Sequence, residues 1–307
     1  KLVAKQQVLG FLARRPSQDL LAVEEKVLGL LIQDGCPVPR HLGSDRAEQF
    51  IFLEHVGERT LDDLVQEDGG ASSPAYVRRA IVGLDAIDHS CSRHQKILEP
   101  LVPDAVNKQA LQVSWQAAGQ RAKEGLEALH RHRGDGSPSA GTCEELGKMG
   151  SWLASRPPLL GSTDYNARNL VVDKSTGDLH FIEFAKIGYD WTERRLVQYT
   201  SSLGSGRDDG CLFGLLDAGS AGFYQEHSGR PDGARALDYH HIYFLLNGAA
   251  LLCRALEAPA ADPGARLLSL WRNPERRLFQ FAAHLSRELS ADPLARSFRS
   301  GLKLSTN

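Results

Sequence analysis

Apolar and polar positions first follow a strand-like pattern and then, over most of the chain, a helical one. KLVAKQQVLGFLA (1–13) reads as β structure, with Val3, Val8 and Phe11 among its apolar residues. SQDLLAVEEKVLGLLIQDG (17–35) reads as a helix capped by Ser17, with Leu20, Leu21, Val27, Leu28 and Leu31 at helical spacing. Gly35 and Pro37 follow its end. QFIFLEHV (49–56) is a short, strongly apolar strand, and RTLDDLVQ (59–66) a short helix with Thr60 as cap. Longer helices are predicted over 73–94, 110–132 and 143–157, with RGDGSPSAGT (133–142) as a loop. Further helices are predicted over 192–203, 211–227, 239–257 and 265–289, with SGRPDGA and APAADPGA as breaks. GSGRDDG (204–210) reads as a linker. The sum is a small β-containing start followed by a larger, mostly helical part.

One stretch interrupts the helices: GSTDYNARNLVVDKSTGDLHFIEF (161–184). NLVVD and LHFIEF flank KSTG, so a hairpin is predicted. Leu170 and Val172 would share one face of the first strand, and Ile182 and Phe184 the matching face of the second. Asn169 and Glu183 are equally distant from Thr176. A hairpin closing symmetrically there sets the two side chains opposite each other, on the other face. An amide oxygen beside a carboxylate is a hard-oxygen site of the kind Mg²⁺ takes, usually with waters and substrate phosphates. Asp164 lies just before the first strand, where a carboxylate can orient a hydroxyl or accept its proton. Taken singly, Asp164 and Asn169 read equally as turn residues and Glu183 as an exposed strand residue.

Composition excludes several classes. The 307 residues are 42% hydrophobic and 24% charged, which is globular and large enough for two lobes. The net charge of −2 gives no basic field for nucleic acid or anionic lipid. No apolar run approaches the ~20 residues that cross a bilayer, so no membrane association is expected. KLVAKQQVLGFLARR carries no ordered signal-peptide regions. The five cysteines are scattered and never form CxxC, which points to free thiols in a cytoplasmic protein rather than to disulfides or zinc.

The order D-x-x-x-x-N, hairpin, acidic-Phe resembles the catalytic loop and metal-binding strand of the protein-kinase-like fold, where H-R-D-x-x-x-x-N precedes D-F-G. DYNARN with its trailing LVVD resembles most the aminoglycoside phosphotransferase and choline kinase branch. The resemblance implies a two-lobed α+β protein-kinase-like fold and an ATP- and Mg²⁺-dependent phosphotransferase acting on a hydroxyl of a small molecule. It implies Asp164 as catalytic base, and Asn169 and Glu183 as Mg²⁺ ligands. LVAKQ resembles the strand whose lysine holds nucleotide phosphates, which carries over to Lys5. The following helix would supply its partner, Glu24, with Glu25 as second choice. FIFLEHVGERTLDDLV resembles the strand and hinge between lobes, so backbone near Glu54–Val56 would meet adenine. The lobes would be 1–56, only partial, and 57–307, with the catalytic loop and hairpin at 161–184. The resemblance spans about Val3 to Tyr199.

The departures matter as much. Ser162 stands where a histidine that supports the loop is usual. Glu183 replaces an aspartate and carries one more methylene. Lys186 stands beyond Phe184 and Ala185, where it would compete with metal for Glu183, touch phosphate, or be a solvated loop lysine. Asp190 or Glu193 would take an acidic role beside Gly188, with capping as the plainer reading of Asp190, while Arg195 occupies a position often acidic. Little precedes Lys5, so the first two strands and the phosphate-covering loop have no room: either an upstream continuation is expected, or this chain has lost that cover. These departures sustain an alternative: a catalytically degenerate kinase-like domain that binds nucleotide or a protein partner without transfer. A third reading is an unrelated helical domain. From Ser201 onward acidic and basic residues balance, which argues against a polycationic acceptor.

Overall fold

Asp19 starts the first helix: its side chain accepts from the Ala22 amide at 2.9 Å, and the helix runs from Leu20. The expected cap, Ser17, lies outside the residues that this computed structural model describes, as do Val8, Phe11 and 204–210. Those described are 1–7, 19–68, 73–134, 136–173, 175–202, 213–257 and 274–302.

The first elements in chain order are β1 (Leu2–Gln6), α1 (Leu20–Gln33), β2 (His41–Asp45), β3 (Phe50–Glu54), β4 (Arg59–Thr60), α2 (Leu61–Asp68) and α3 (Ser73–Arg93). A short α4 (Gln95–Leu98) leads through two 3₁₀ turns to α5 (Lys108–Arg133) and α6 (Ala140–Ala154). Then follow β5 (Leu159–Ser162), β6 (Leu170–Val172), β7 (Leu179–Phe181), β8 (Ile187–Asp190) and α7 (Thr192–Tyr199). The last are β9 (Ser201–Ser202), β10 (Phe213–Gly214), α8 (Ala218–Ser228), α9 (Gly233–Glu257), α10 (Pro274–Leu285) and α11 (Pro293–Gly301). No described helix is long and apolar enough to cross a membrane. The four described cysteines, Cys36, Cys91, Cys143 and Cys253, are free.

The chain divides into two compact units. The first comprises Lys1–Leu111 and Pro158–Tyr199. In it β1, β3 and β2 form an antiparallel sheet with β3 central, its Ile51 and Leu53 buried against the apolar stripe of α1. A second sheet, in the order β4-β6-β7, carries the hairpin, and β5 pairs with β8. The second unit comprises Gln112–Pro157 and Thr200–Asn307. It is built round α9, whose apolar residues are buried on several faces. Trp115 stacks on Tyr243 at 4.9 Å and donates to the Gly150 carbonyl.

The hairpin is shorter than expected and shifted by one residue. Leu170 opposes Phe181 and Val172 opposes Leu179, so Asn169 comes level with Ile182 and not with Glu183. The buried face of the second strand is Leu179 and Phe181, rather than Ile182 and Phe184 of the expected register. The turn explains this. Asp173 donates to the Asp178 carbonyl, leaving four residues between them, and the centre of a four-residue loop falls between residues rather than on Thr176. Gly177, at φ 74°, closes it in the left-handed region.

Other boundaries moved for local reasons. Ser139 caps α6 through the Thr142 amide, so the helix begins inside the expected loop 133–142. Of the described residues 213–227, those from Ala218 on are helical: Asp217 and Ser220 form a reciprocal capping box, and Phe213–Gly214 pairs as a strand with Ser201–Ser202. That pairing also takes the end of the helix expected over 192–203. α10 begins at Pro274, and the preceding part of its predicted helix lies outside the described residues.

Candidate functional site

β1, the middle of α1, the turn after β5 and the end of the hairpin bring their polar residues together within the first unit. Lys5 on β1 donates to both oxygens of Glu24, at 2.8 and 3.0 Å, and to Glu183 at 2.9 Å. Glu24 is buried, and its oxygens also accept from the Phe184 amide at 3.3 Å and from the Gln7 side chain. Burial pulls the Lys5 ammonium down, but the two carboxylates outweigh it and hold its pKa above the ordinary lysine value. Glu25, the second choice, pairs instead with Arg46 at 2.7 Å. β1 lies antiparallel to β3, with Lys5 opposite Ile51, and this fixes the lysine over α1.

Glu183 has a left-handed backbone, at φ 71°, one of two non-glycine residues so placed among those described. For a glutamate this conformation is strained. The geometry around it shows what enforces it. The Ile182 amide bonds the Asn169 carbonyl at 3.0 Å, the Phe184 amide turns to Glu24, and the Phe184 ring is buried. The Glu183 carbonyl accepts from the Ser162 hydroxyl at 2.9 Å, and that hydroxyl accepts from the Asp164 amide at 3.1 Å. Ser162, in the place of the usual histidine, thus ties the loop of Asp164 to the strand end of Glu183.

Asn169 is buried, and its amide nitrogen donates to the Asp164 carbonyl at 2.6 Å and, more weakly, to Asp164 Oδ1 at 3.4 Å. With the nitrogen so used, its oxygen is the atom left for a cation. Asp164 Oδ2 accepts from Lys186 Nζ at 2.7 Å. Lys186 therefore pairs with Asp164, not with Glu183. The neighbouring Tyr165 donates its hydroxyl to Asp190, which also accepts from the Trp191 amide and Arg194. Burial, first, and the Asp190 charge keep the Tyr165 phenol protonated far above its ordinary range. Asp190 is thus an anchor for the loop that carries Asp164 as well as a local cap.

Near the expected hinge, Glu54 turns its carboxylate to Arg40 at 3.0 Å, and its amide donates to the Arg40 carbonyl at 2.9 Å. Gly57 follows at φ 152°, where a Cβ would lie 2.5 Å from the Val172 carbonyl oxygen. Only a glycine lets the chain pass so close to β6.

The least foreseen residue is Arg195. It is buried, donating to the Ser162, Leu159 and Gly188 carbonyls at 3.1, 2.8 and 3.2 Å and to Asp88 at 3.3 Å. Gly161 and Gly188 face each other in the β5–β8 pair, and a Cβ on Gly161 would meet the guanidinium at 2.8 Å. The sequence signal was present in the two glycines flanking the loop, but their partner is set by long-range packing.

Among the described residues, no group of three or more His, Cys, Asp or Glu could hold a metal ion. Asn169 and Glu183 are not opposite each other in the hairpin, and one amide oxygen with one carboxylate is too few to enclose Mg²⁺, so phosphate oxygens and waters would have to complete any such site. No protein-family model matches the chain, and no curated protein matches it. Among solved structures, the chain resembles the GDP complex of wild-type aminoglycoside 2'-phosphotransferase-IIIa, at 12% identity and TM-score 0.50, over 86% of this chain and 82% of that one. The gentamicin complex of APH(2")-IIa aligns at 12% identity and TM-score 0.43, over 85% and 81%. An ethanolamine kinase of Plasmodium vivax aligns at 12% and 0.43, over 90% and 74%.

Proposed function

We propose, for a chain with the protein-kinase-like fold that an aminoglycoside phosphotransferase also has, that it moves the γ-phosphoryl group of ATP to a hydroxyl of a small molecule. The observation that carries this is the Lys5–Glu24 pair reaching Glu183, with Glu183 linked through Ser162 to Asp164. In this reading Lys5, oriented by buried Glu24, holds nucleotide phosphates. Main-chain groups near Glu54–Val56 receive adenine, with the hinge at 54–56. Asn169 and Glu183 hold the metal; Mg²⁺, when bound, offsets phosphate charge and aligns the terminal phosphate. Asp164 orients the acceptor hydroxyl. As the acceptor oxygen bonds to the γ-phosphorus, the bond to the β,γ-bridging oxygen breaks and ADP keeps its electron pair. The hydroxyl proton passes to Asp164. Positioning and charge neutralisation supply most of the acceleration, since little covalent chemistry falls to the protein.

Glu183 in place of aspartate supports the second reading, a domain that binds nucleotide without transfer. Its longer arm already reaches Lys5. Calorimetry with ATP, with and without Mg²⁺, separates the readings from a domain with no such site. Mg²⁺-dependent binding that is lost in Glu183→Ala and kept in Asp164→Ala is the expected result. Phosphate transfer to an acceptor, abolished in Asp164→Ala, then selects the enzyme. Absence of nucleotide binding under either condition rejects both nucleotide readings.

A further inference from the structure

We infer that Lys186 is the residue that meets the terminal phosphate of the nucleotide while keeping its contact with Asp164; this rests on the reading of the site given above. Three observations lead there. First, the main chain at Lys186 is fixed, while its side chain reaches Asp164 and stays open to solvent. The Lys186 carbonyl accepts from the Thr163 amide at 3.0 Å, and the next residue, Ile187, pairs with Ser162. The side chain is 44% exposed, on a flexible four-carbon stem.

Second, the other cations near the loop pair with carboxylates other than Asp164. Lys5 is held by two carboxylates, Glu24 and Glu183. Arg168, within the loop itself, turns its Nε to the buried carboxylate of Asp62 at 3.2 Å. The cation in contact with Asp164 is Lys186, supplied from beyond the metal-binding strand end rather than from the loop.

Third, the chemistry needs a cation at that point. An ammonium has three donors, and one of them on Asp164 Oδ2 leaves two. A phosphate oxygen arriving beside Asp164 would find a charge-assisted donor already in place. One side chain in contact with both the γ-phosphate and the carboxylate that orients the acceptor would hold the two reacting partners in a single cluster. It would also offset the repulsion between Asp164 and the phosphate. On ADP the same ammonium would have no partner besides Asp164.

The test is therefore discrimination between nucleotides, read by binding and not by turnover. ATP and ADP are titrated with Mg²⁺ into the wild type, Lys186→Met and Lys186→Arg. One charge-assisted hydrogen bond corresponds to about tenfold in affinity. Lys186→Met is expected to bind ATP about tenfold more weakly, to bind ADP within about twofold of the wild type, and to keep its melting temperature. Lys186→Arg should retain most of the preference for ATP. Equal weakening of both nucleotides, or of neither, overturns the inference. A wild type that binds neither nucleotide overturns the underlying reading of the site, and this inference with it. That failure is recognisable because it precedes any substitution.

Discussion

Arg195 carries the most concentrated demand on a single side chain. Its guanidinium, buried, holds three carbonyls and Asp88 at once, and Asp88 also accepts from Thr192. Removing one partner of a buried ion pair typically costs about 3–5 kcal/mol. Arg195→Met is expected to lose that much in urea unfolding. Replacing both partners with apolar residues often rescues such pairs, but here three carbonyls would still lose their donor. Arg195→Met with Asp88→Leu should therefore stay at least about 2 kcal/mol below the wild type; a double variant of wild-type stability would show that the carbonyl contacts contribute nothing. At this scale the contact of Lys5 with Glu24 was legible, because the lysine and the glutamate each sit in a short local pattern. Arg195 was not, because nothing local distinguishes a buried arginine from a surface one, and its partner stands 107 positions away.

Among the elements, close approach of backbones decides what each glycine can become. Gly125 on α5 packs where a Cβ would collide with the Leu246 carbonyl oxygen and lie 3.2 Å from the Ala250 amide, both on α9. Gly119, six residues earlier on the same helix, has nothing within 4 Å of an added Cβ. Alanine favours a helix over glycine by about 0.5–1 kcal/mol, so Gly119→Ala should raise stability by about that much. Gly125→Ala should lower it by about 3 kcal/mol, since overpacking against backbone has no soft neighbour to yield. Thermal unfolding of the two variants checks the opposite signs directly. Helical periodicity revealed α1, α3, α5 and α9 well, since long amphipathic or apolar runs report themselves. The four-residue strands β5 and β8 were missed because glycines at their centres weaken any β pattern. The one-residue slip in the hairpin has a similar origin: turn geometry, not the strand pattern, set the register.

For the molecule as a whole, order along the chain told more than any single motif. A lysine strand, a glutamate helix, a second strand, D-x-x-x-x-N and acidic-Phe in succession made the fold readable at 12% identity with a solved structure of that fold. What order cannot report is the buried titratable chemistry of the second unit. His241 is buried, and its pKa falls to about 3, first through burial and then through His284, Arg299 and Arg287. The folded state therefore refuses a proton that the unfolded state accepts near 6.5. This contribution to stability is present above about pH 6.5 and is lost progressively as the pH falls towards 3. At pH 5 the loss from this one group is about 2 kcal/mol. Urea unfolding at pH 7.5 and 5 should show the wild type losing about that much more than His241→Leu; parallel losses would place the acid sensitivity elsewhere.

The division into two units has a consequence for how the protein comes into being. Each unit is stitched from two separate stretches, and the chain leaves and re-enters them at residues 111–112, 157–158 and 199–200. On a ribosome, the unit holding Lys5 must wait until Tyr199 has emerged, with residues 112–157 already made but still lacking most of their own partners. Neither unit corresponds to one continuous fragment that could be cut out and expressed alone. The first 111 residues would emerge carrying Lys5 and Glu24 but not the Phe184 amide and the Glu183 carboxylate that they bond in the fold. Synthesis thus leaves this unit without its closing partners for the time needed to make some seventy more residues, a window in which a chaperone or a degradation enzyme would find the chain.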